Sequence, residues 1–166
     1  MEKPHEPLEE LRRLLKGIRF AMLTTLGEDG RFHSRPMATQ EVERGGALWF
    51  FTGVSSRKVR EVNLEPRVSL AYSDPDDNRY VSVWGNGKMV RDPAKAKELW
   101  SPALKAWFPK GLEDPELSLL RVDIEGAEYW DNPSSKLVQI VGFAKAVVTG
   151  QRATGLGEHG TLDLNH

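Results

Sequence analysis

Short apolar and β-branched runs, each closed by a glycine or aspartate cluster, leave this chain few folds to choose from. Phe20–Leu26 is followed by Gly27-Glu28-Asp29-Gly30, the pattern of a strand and its hairpin turn. Further strands are expected over 31–43, over 47–52 after Gly45-Gly46, and over 67–72 before the turn cluster Asp74-Pro75-Asp76-Asp77-Asn78. A fifth is expected over 80–90 and a sixth over 119–124. Gly85 and Gly87 interrupt the fifth, which predicts a bulge or a close approach of backbone or ligand. Tight turns join antiparallel neighbours, so the expected architecture is an antiparallel barrel, mainly β with α additions.

The α additions have their own signals. Leu8, Leu11, Leu14 and Leu15 recur at helical spacing before Gly17. Residues 56–63 fit a short helix. Asp92-Pro93 supplies an N-cap and a first-turn proline for a helix running to about Trp107. Ser134-Ser135 can cap a last helix carrying Leu137, Ile140, Val141 and Ala144 on one face, although the stretch is β-branched enough for a strand. The chain reads as one domain over 1–150, with a glycine-containing tail over 151–166 that belongs to it.

Composition removes whole classes of chemistry. The 166 residues include no cysteine, which excludes disulfides, thiolate metal sites and a Cys nucleophile. Lys and Arg total 23 against 24 Asp and Glu, so no bulk positive field exists to hold nucleic acid or a membrane surface. His5, His33, His159 and His166 are scattered, and no metal site is expected. No apolar stretch resembles a signal segment or a membrane span, so a cytoplasmic location is expected. Five tryptophans are many for a chain with 8% aromatics.

One stretch points to a ligand. In Phe51-Thr52-Gly53-Val54-Ser55-Ser56-Arg57-Lys58 a strand ends and a helix begins on a hydroxyl residue, with two cations in its first turn. Cations there oppose the helix dipole unless an anion is present. Free N–H groups, a serine hydroxyl and Arg57 with Lys58 could form a phosphate cradle. They also fit a plain reading as solvated charges beside a Ser55 or Ser56 cap. Gly155-Leu156-Gly157-Glu158-His159-Gly160 matches a dinucleotide fingerprint, but no βαβ unit can follow it. No catalytic acid, base or nucleophile stands out, which favours chemistry carried by a cofactor.

Nine stretches then occur in a telling order: Ser34-Arg35-Pro36-Met37, Leu48-Trp49-Phe50-Phe51-Thr52, Ser56-Arg57-Lys58-Val59, Glu65-Pro66-Arg67-Val68-Ser69-Leu70, Tyr80-Val81-Ser82-Val83, Glu98-Leu99-Trp100, Lys105-Ala106-Trp107-Phe108-Pro109, Ala127-Glu128-Tyr129-Trp130-Asp131 and Pro133-Ser134-Ser135-Lys136. Together the chain resembles the pyridoxamine 5′-phosphate oxidase-like, FMN-binding split-barrel superfamily, and within it the general stress protein 26 branch. The likeness covers nearly the whole chain.

The resemblance implies an FMN site, with FAD second and deazaflavin or haem further behind. Arg35, Pro36 and Met37 would lie along the flavin ring and ribityl chain. Phe51 and Thr52 would contact it through backbone and hydroxyl, and Ser56, Arg57 and Lys58 would hold its phosphate. Tyr80 and Trp130 complete the set. The flavin would sit at a homodimer interface, so some of these residues should come from the second subunit. Two activities are implied: a flavin-dependent oxidoreductase of unknown substrate, or a flavin-binding stress protein without turnover. True oxidases follow their E-[FHY]-W motif with an Arg, a His and a later Arg. Here Glu128-Tyr129-Trp130 is followed by Lys136, Leu137, Val138, Gln139 and Ile140, with Val and Ile replacing the His and the second Arg. That departure argues against oxidation of pyridoxamine phosphate. Trp84 is expected to fill the core, with stacking on a flavin or narrowing of the cleft as alternatives. Trp100, Trp107 and Phe108 are expected to pack against the barrel or across a dimer.

Overall fold

A computed structural model of the chain describes residues 7–131, 148 and 158–164. Helix α1 (Pro7–Leu15) leads into strands β1 (Phe20–Leu26), β2 (Phe32–Ala38), β3 (Glu41–Val42) and β4 (Ala47–Gly53). Helix α2 (Arg57–Leu64), β5 (Arg67–Asp74) and β6 (Arg79–Val90) follow. Helix α3 (Pro93–Leu99) and two 3₁₀ turns, Pro102–Ala106 and Gly111–Glu113, precede β7 (Leu117–Asp131) and β8 (Glu158–Asp163).

The strands form one antiparallel sheet in the order β2-β1-β5-β6-β7-β4-β3, curled so that its first and last strands approach. The fold is a split barrel. Its interior holds Leu23, Met37, Leu48, Phe50, Leu70, Val83 and Val122, with Leu11, Leu14 and Leu15 of α1 joining them. Strand β5 alternates outward and inward, whereas β4 is buried on both faces as far as Thr52. The outer side of β4 is covered by the segment between β6 and β7. Ala47, Trp49 and Phe51 meet Ala96 and Phe108 in a second cluster.

The single strand expected over 31–43 is two strands, for a geometric reason. The Thr39 N–H donates to Arg19 O (2.9 Å) on the β1 side, and the next N–H, of Gln40, donates to Trp49 O (2.9 Å) on β4. The chain crosses from one wall to the other at that corner and closes one end of the barrel. Towards Arg35, β2 and β4 have no ladder between them, and the split opens.

Strand β7 runs well beyond the expected 119–124. Its first half pairs with β4 and its second half with β8, so these two strands lie end to end along one edge of it. The glycine-containing tail therefore contributes a sheet strand, and Glu158-His159-Gly160 lies within it rather than before a helix. The long helix expected from Asp92 stops at Leu99. Asp92 caps it, accepting from the Lys95 N–H at 3.0 Å, but Pro102 cannot continue the helical ladder. The glycine signal in β6 corresponds to a register shift between Trp84 and Gly85. A Cβ on Gly85 would lie 2.1 Å from the Asp123 carbonyl oxygen, so backbones touch there.

Two tryptophans do not pack into this chain's barrel. Trp84 is 38% exposed on the outer face, its indole lying over Gly126, where there is room for no side chain. Trp107 is 71% exposed. Trp100 and Phe108 do pack, both against Phe51. The expected helix from Ser134, and Lys136 to Ile140 with it, lie outside the described residues.

Candidate ligand site

The turn between β4 and α2 is anchored from outside. Val54 N–H donates to Glu116 O (2.9 Å), and the Ser55 hydroxyl donates to the Glu116 carboxylate (2.6 Å). Ser56 occupies the N-cap position of α2, yet its side chain makes no capping bond. Its hydroxyl instead faces Thr52 Oγ1 (3.4 Å) and receives a bond from Lys58 Nζ (3.2 Å). Lys58 also donates to Thr52 Oγ1 at 3.2 Å. A strand-end hydroxyl, an N-cap hydroxyl and one amine thus converge at the start of a helix.

Lys58 is half-buried, and among the described residues it makes no ion pair. Burial, and then the charge of Arg35, push its pKa down. An ammonium held among neutral hydroxyls beside a second cation is a place where an anion would be stabilised.

Arg57 goes elsewhere. Consecutive helical residues point about 100° apart, so the two first-turn cations diverge. Arg57 Nε donates to Glu61 Oε1 at 2.6 Å, one turn along α2, and its NH2 group donates to His33 Nε2 at 2.7 Å. Asp29 of the β1–β2 turn stands 3.7 Å away. Arg35, the third cation of the expected set, projects inward from β2. It donates to Thr25 Oγ1 (2.7 Å) and Leu23 O (3.3 Å), with Glu61 Oε2 at 3.4 Å.

Glu61 is the centre of this network and only 2% exposed. Its burial would raise the carboxyl pKa, but the Thr25 hydroxyl (2.5 Å) and the Arg57 and Arg35 guanidiniums outweigh burial and hold it low. Sequence reasoning missed Glu61, Thr25 and His33. The Arg57–Glu61 spacing of four was a usable signal for one helix face. Thr25 and His33 carried none.

The other expected residues divide by strand geometry. Met37 shares the inward face with Arg35, and its side chain is in the core, while Pro36 points outward from the edge strand. The Thr52 side chain is buried beside Lys58. The Phe51 side chain is on the opposite face, 6.0 Å from the Trp100 ring. The Phe51 backbone is another matter. Trp49 O receives the Gln40 N–H from the β3 side, and Phe51, two residues on, presents its own N–H and C=O the same way, beyond the last β3 pair and into the split.

Tyr80 and Trp130 do not join this group within one chain. They pair with each other at the far end of β6 and β7, half-exposed on the outer face. Tyr80 is seven residues from Gly87, which underlies α2, or roughly 23 Å along the strand. Trp130 stacks on His159 of β8 at 5.1 Å, and His159 Nε2 lies 2.8 Å from Glu128. Among the described residues no cluster of potential metal ligands occurs, and no helix is long and apolar enough to cross a membrane.

The family model for pyridoxamine 5′-phosphate oxidase-like proteins matches residues 6–154. The chain belongs to that family. Protein bli-3 of Neurospora crassa is 27% identical over 159 residues, spanning 90% of this chain and 76% of that protein. A general stress FMN/FAD binding protein from Xanthomonas citri is 37% identical, covers 77% of this chain and 90% of its own, and superposes with a TM-score of 0.67. A protein from Clostridium acetobutylicum related to general stress protein 26 shares the fold across 95% of this chain and 94% of its own, with a TM-score of 0.70 at 19% identity. Within the pyridoxamine 5′-phosphate oxidase-like family, the 37%-identical Xanthomonas citri relative sets the chain beside the general stress proteins.

Proposed function

We propose that this chain is a flavin-binding stress protein that takes FMN, with the phosphate at Lys58, Ser56 and Thr52 and the ring along the split between β2 and β4. The observation that carries this reading is the half-buried Lys58 amine, bonded among the described residues only to hydroxyls at the opening of α2. The donor set fits a phosphate monoester: an unpaired cation, two hydroxyls and an uncapped helix start. The flavin-binding relative from Xanthomonas citri supports the ligand class.

Two copies would associate through the outer face of the sheet. That face exposes Phe20, Met22, Tyr80, Trp84 and Trp130 around a floor of Ser69, Ala71 and Ser82. Association would also account for Tyr80 and Trp130, which would serve the partner's cleft.

The finer reading is an oxidoreductase whose substrate is not pyridoxamine phosphate. Bound FMN would supply hydride or single-electron transfer, and the chain would supply the rest. Lys58 and the hydroxyls would hold the phosphate, Phe51 N–H and C=O would be available to the ring, and the β2 and β4 walls would exclude water. Glu61, committed to Arg35, Arg57 and Thr25, is not a free proton acceptor.

An absorption spectrum of the purified protein with and without added FMN tests the core reading. Flavin bands, or saturable uptake of added FMN, are expected; neither appearing refutes it. Stopped-flow mixing of the loaded protein with NADH or NADPH then separates turnover from storage.

A further inference from the structure

We infer that Glu61 is the specificity-determining residue of this site: its buried carboxylate occupies Arg35 and Arg57 and so limits how strongly a phosphate is favoured over none. The inference rests on the FMN reading above. Three cations approach the head of α2, and Glu61, among the described residues the one buried carboxylate, engages two of them. Glu61 Oε1 takes the Arg57 Nε–H at 2.6 Å, and Oε2 faces Arg35 at 3.4 Å. Thr25 ties these together, accepting from Arg35 and donating to Glu61. At its other end Arg57 is held by His33 and Asp29, both from the β1–β2 hairpin. Lys58 is left to meet an anion with its charge uncompensated.

The consequence is graded recognition. With Glu61 charged, part of the field of Arg35 and Arg57 at the phosphate position is cancelled, although Arg35 is still felt at Lys58. With Glu61 neutral, both guanidiniums would add to the attraction for a dianion, and a phosphorylated ligand would be held far more tightly than its dephospho form. Glu61 touches no ligand. It acts through the two arginines.

The test is the ratio of dissociation constants for FMN and riboflavin, measured by quenching of flavin fluorescence in the full chain and in Glu61→Gln. Glutamine keeps the length and one acceptor but removes the charge. FMN binding should tighten about tenfold, and riboflavin binding should stay within about twofold. Unchanged or weaker FMN binding, or equal movement of both ligands, overturns the assignment. A wild-type protein that binds FMN no better than riboflavin instead overturns the phosphate reading beneath it. Asp29→Asn provides a second route that leaves the barrel interior intact, since Asp29 holds Arg57 from its exposed end. It should raise the FMN preference about twofold, in the same direction but less. An unchanged or lower preference there also overturns the assignment.

Discussion

Replacing Lys58 with methionine separates the two tasks an amine can perform at this position. In the free protein Lys58 makes two neutral-acceptor hydrogen bonds, each at 3.2 Å, to Thr52 and Ser56. Such bonds contribute about 0.5–1.5 kcal/mol each, and here partial burial of the charge and the nearness of Arg35 offset them. Methionine restores the aliphatic stem without the charge. The free variant should therefore stay within about 1 kcal/mol of the parent, a shift of no more than about 4 °C in Tm. A charge-assisted bond to a phosphate oxygen is different, worth about 1.5–3 kcal/mol. Its loss should raise the FMN dissociation constant roughly 10- to 150-fold, since 1.4 kcal/mol is tenfold. Riboflavin has no phosphate and should bind both proteins alike. Fluorescence titration with the two ligands, alongside thermal melts, reads all three quantities. An FMN constant that moves less than about threefold, or a riboflavin constant that moves equally, refutes the phosphate assignment. A large loss of free-state stability would make Lys58 a structural residue instead.

Other outcomes follow from the same coordinates. Gly85→Ala sets a methyl against the Asp123 carbonyl, an immovable backbone group, and should cost about 2–4 kcal/mol in urea denaturation. Burial pushes the Tyr72 phenol up to about 12 despite its bond to Thr39. A raised folded-state value means the neutral phenol's stabilisation is intact below the unfolded tyrosine value of about 10 and is lost as pH rises towards 12. Roughly 3 kcal/mol should disappear over that interval in pH-dependent melts, and a flat profile there would contradict the burial. Met22→Lys charges the outer sheet face and should shift the protein to monomer in analytical ultracentrifugation, weakening FMN binding at the same time. A dimer that persists would remove that face from the interface.

The barrel was legible because its evidence is local. Period-two burial in β5 and turn clusters after β1 and β5 follow from neighbouring residues alone. What escaped depended on distant partners. Nothing near residue 39 says that its N–H and the next serve opposite walls, so β2 and β3 read as one strand. The end of β7 and all of β8 stabilise each other across sequence, and neither run signals the other. Trp84 looked like a core residue because its hydrophobicity is local information, whereas the bare space over Gly126 is not. The site behaved likewise. Helix polarity singles out Lys58 and Arg57 together, whereas adjacent helical residues diverge in space, and Arg57 turns to Glu61 while Lys58 turns to Thr52. Glu61 became visible only when Arg35 and Thr25, contributed by two other strands, closed around it.

Strand β4 has a bearing on how such proteins can diversify. From Ala47 to Thr52 it offers no side chain to solvent, being pressed between the barrel interior and the α3 segment. A substitution there must satisfy two cores at once, and cores tolerate changes of even one methylene poorly. The hydroxyl of Thr52 and the split-facing backbone of Phe51 are therefore close to frozen in place. Lineages seeking new ligands would have to do so through β2, the β1–β2 hairpin and the head of α2, where side chains reach the cleft from elements with one free side.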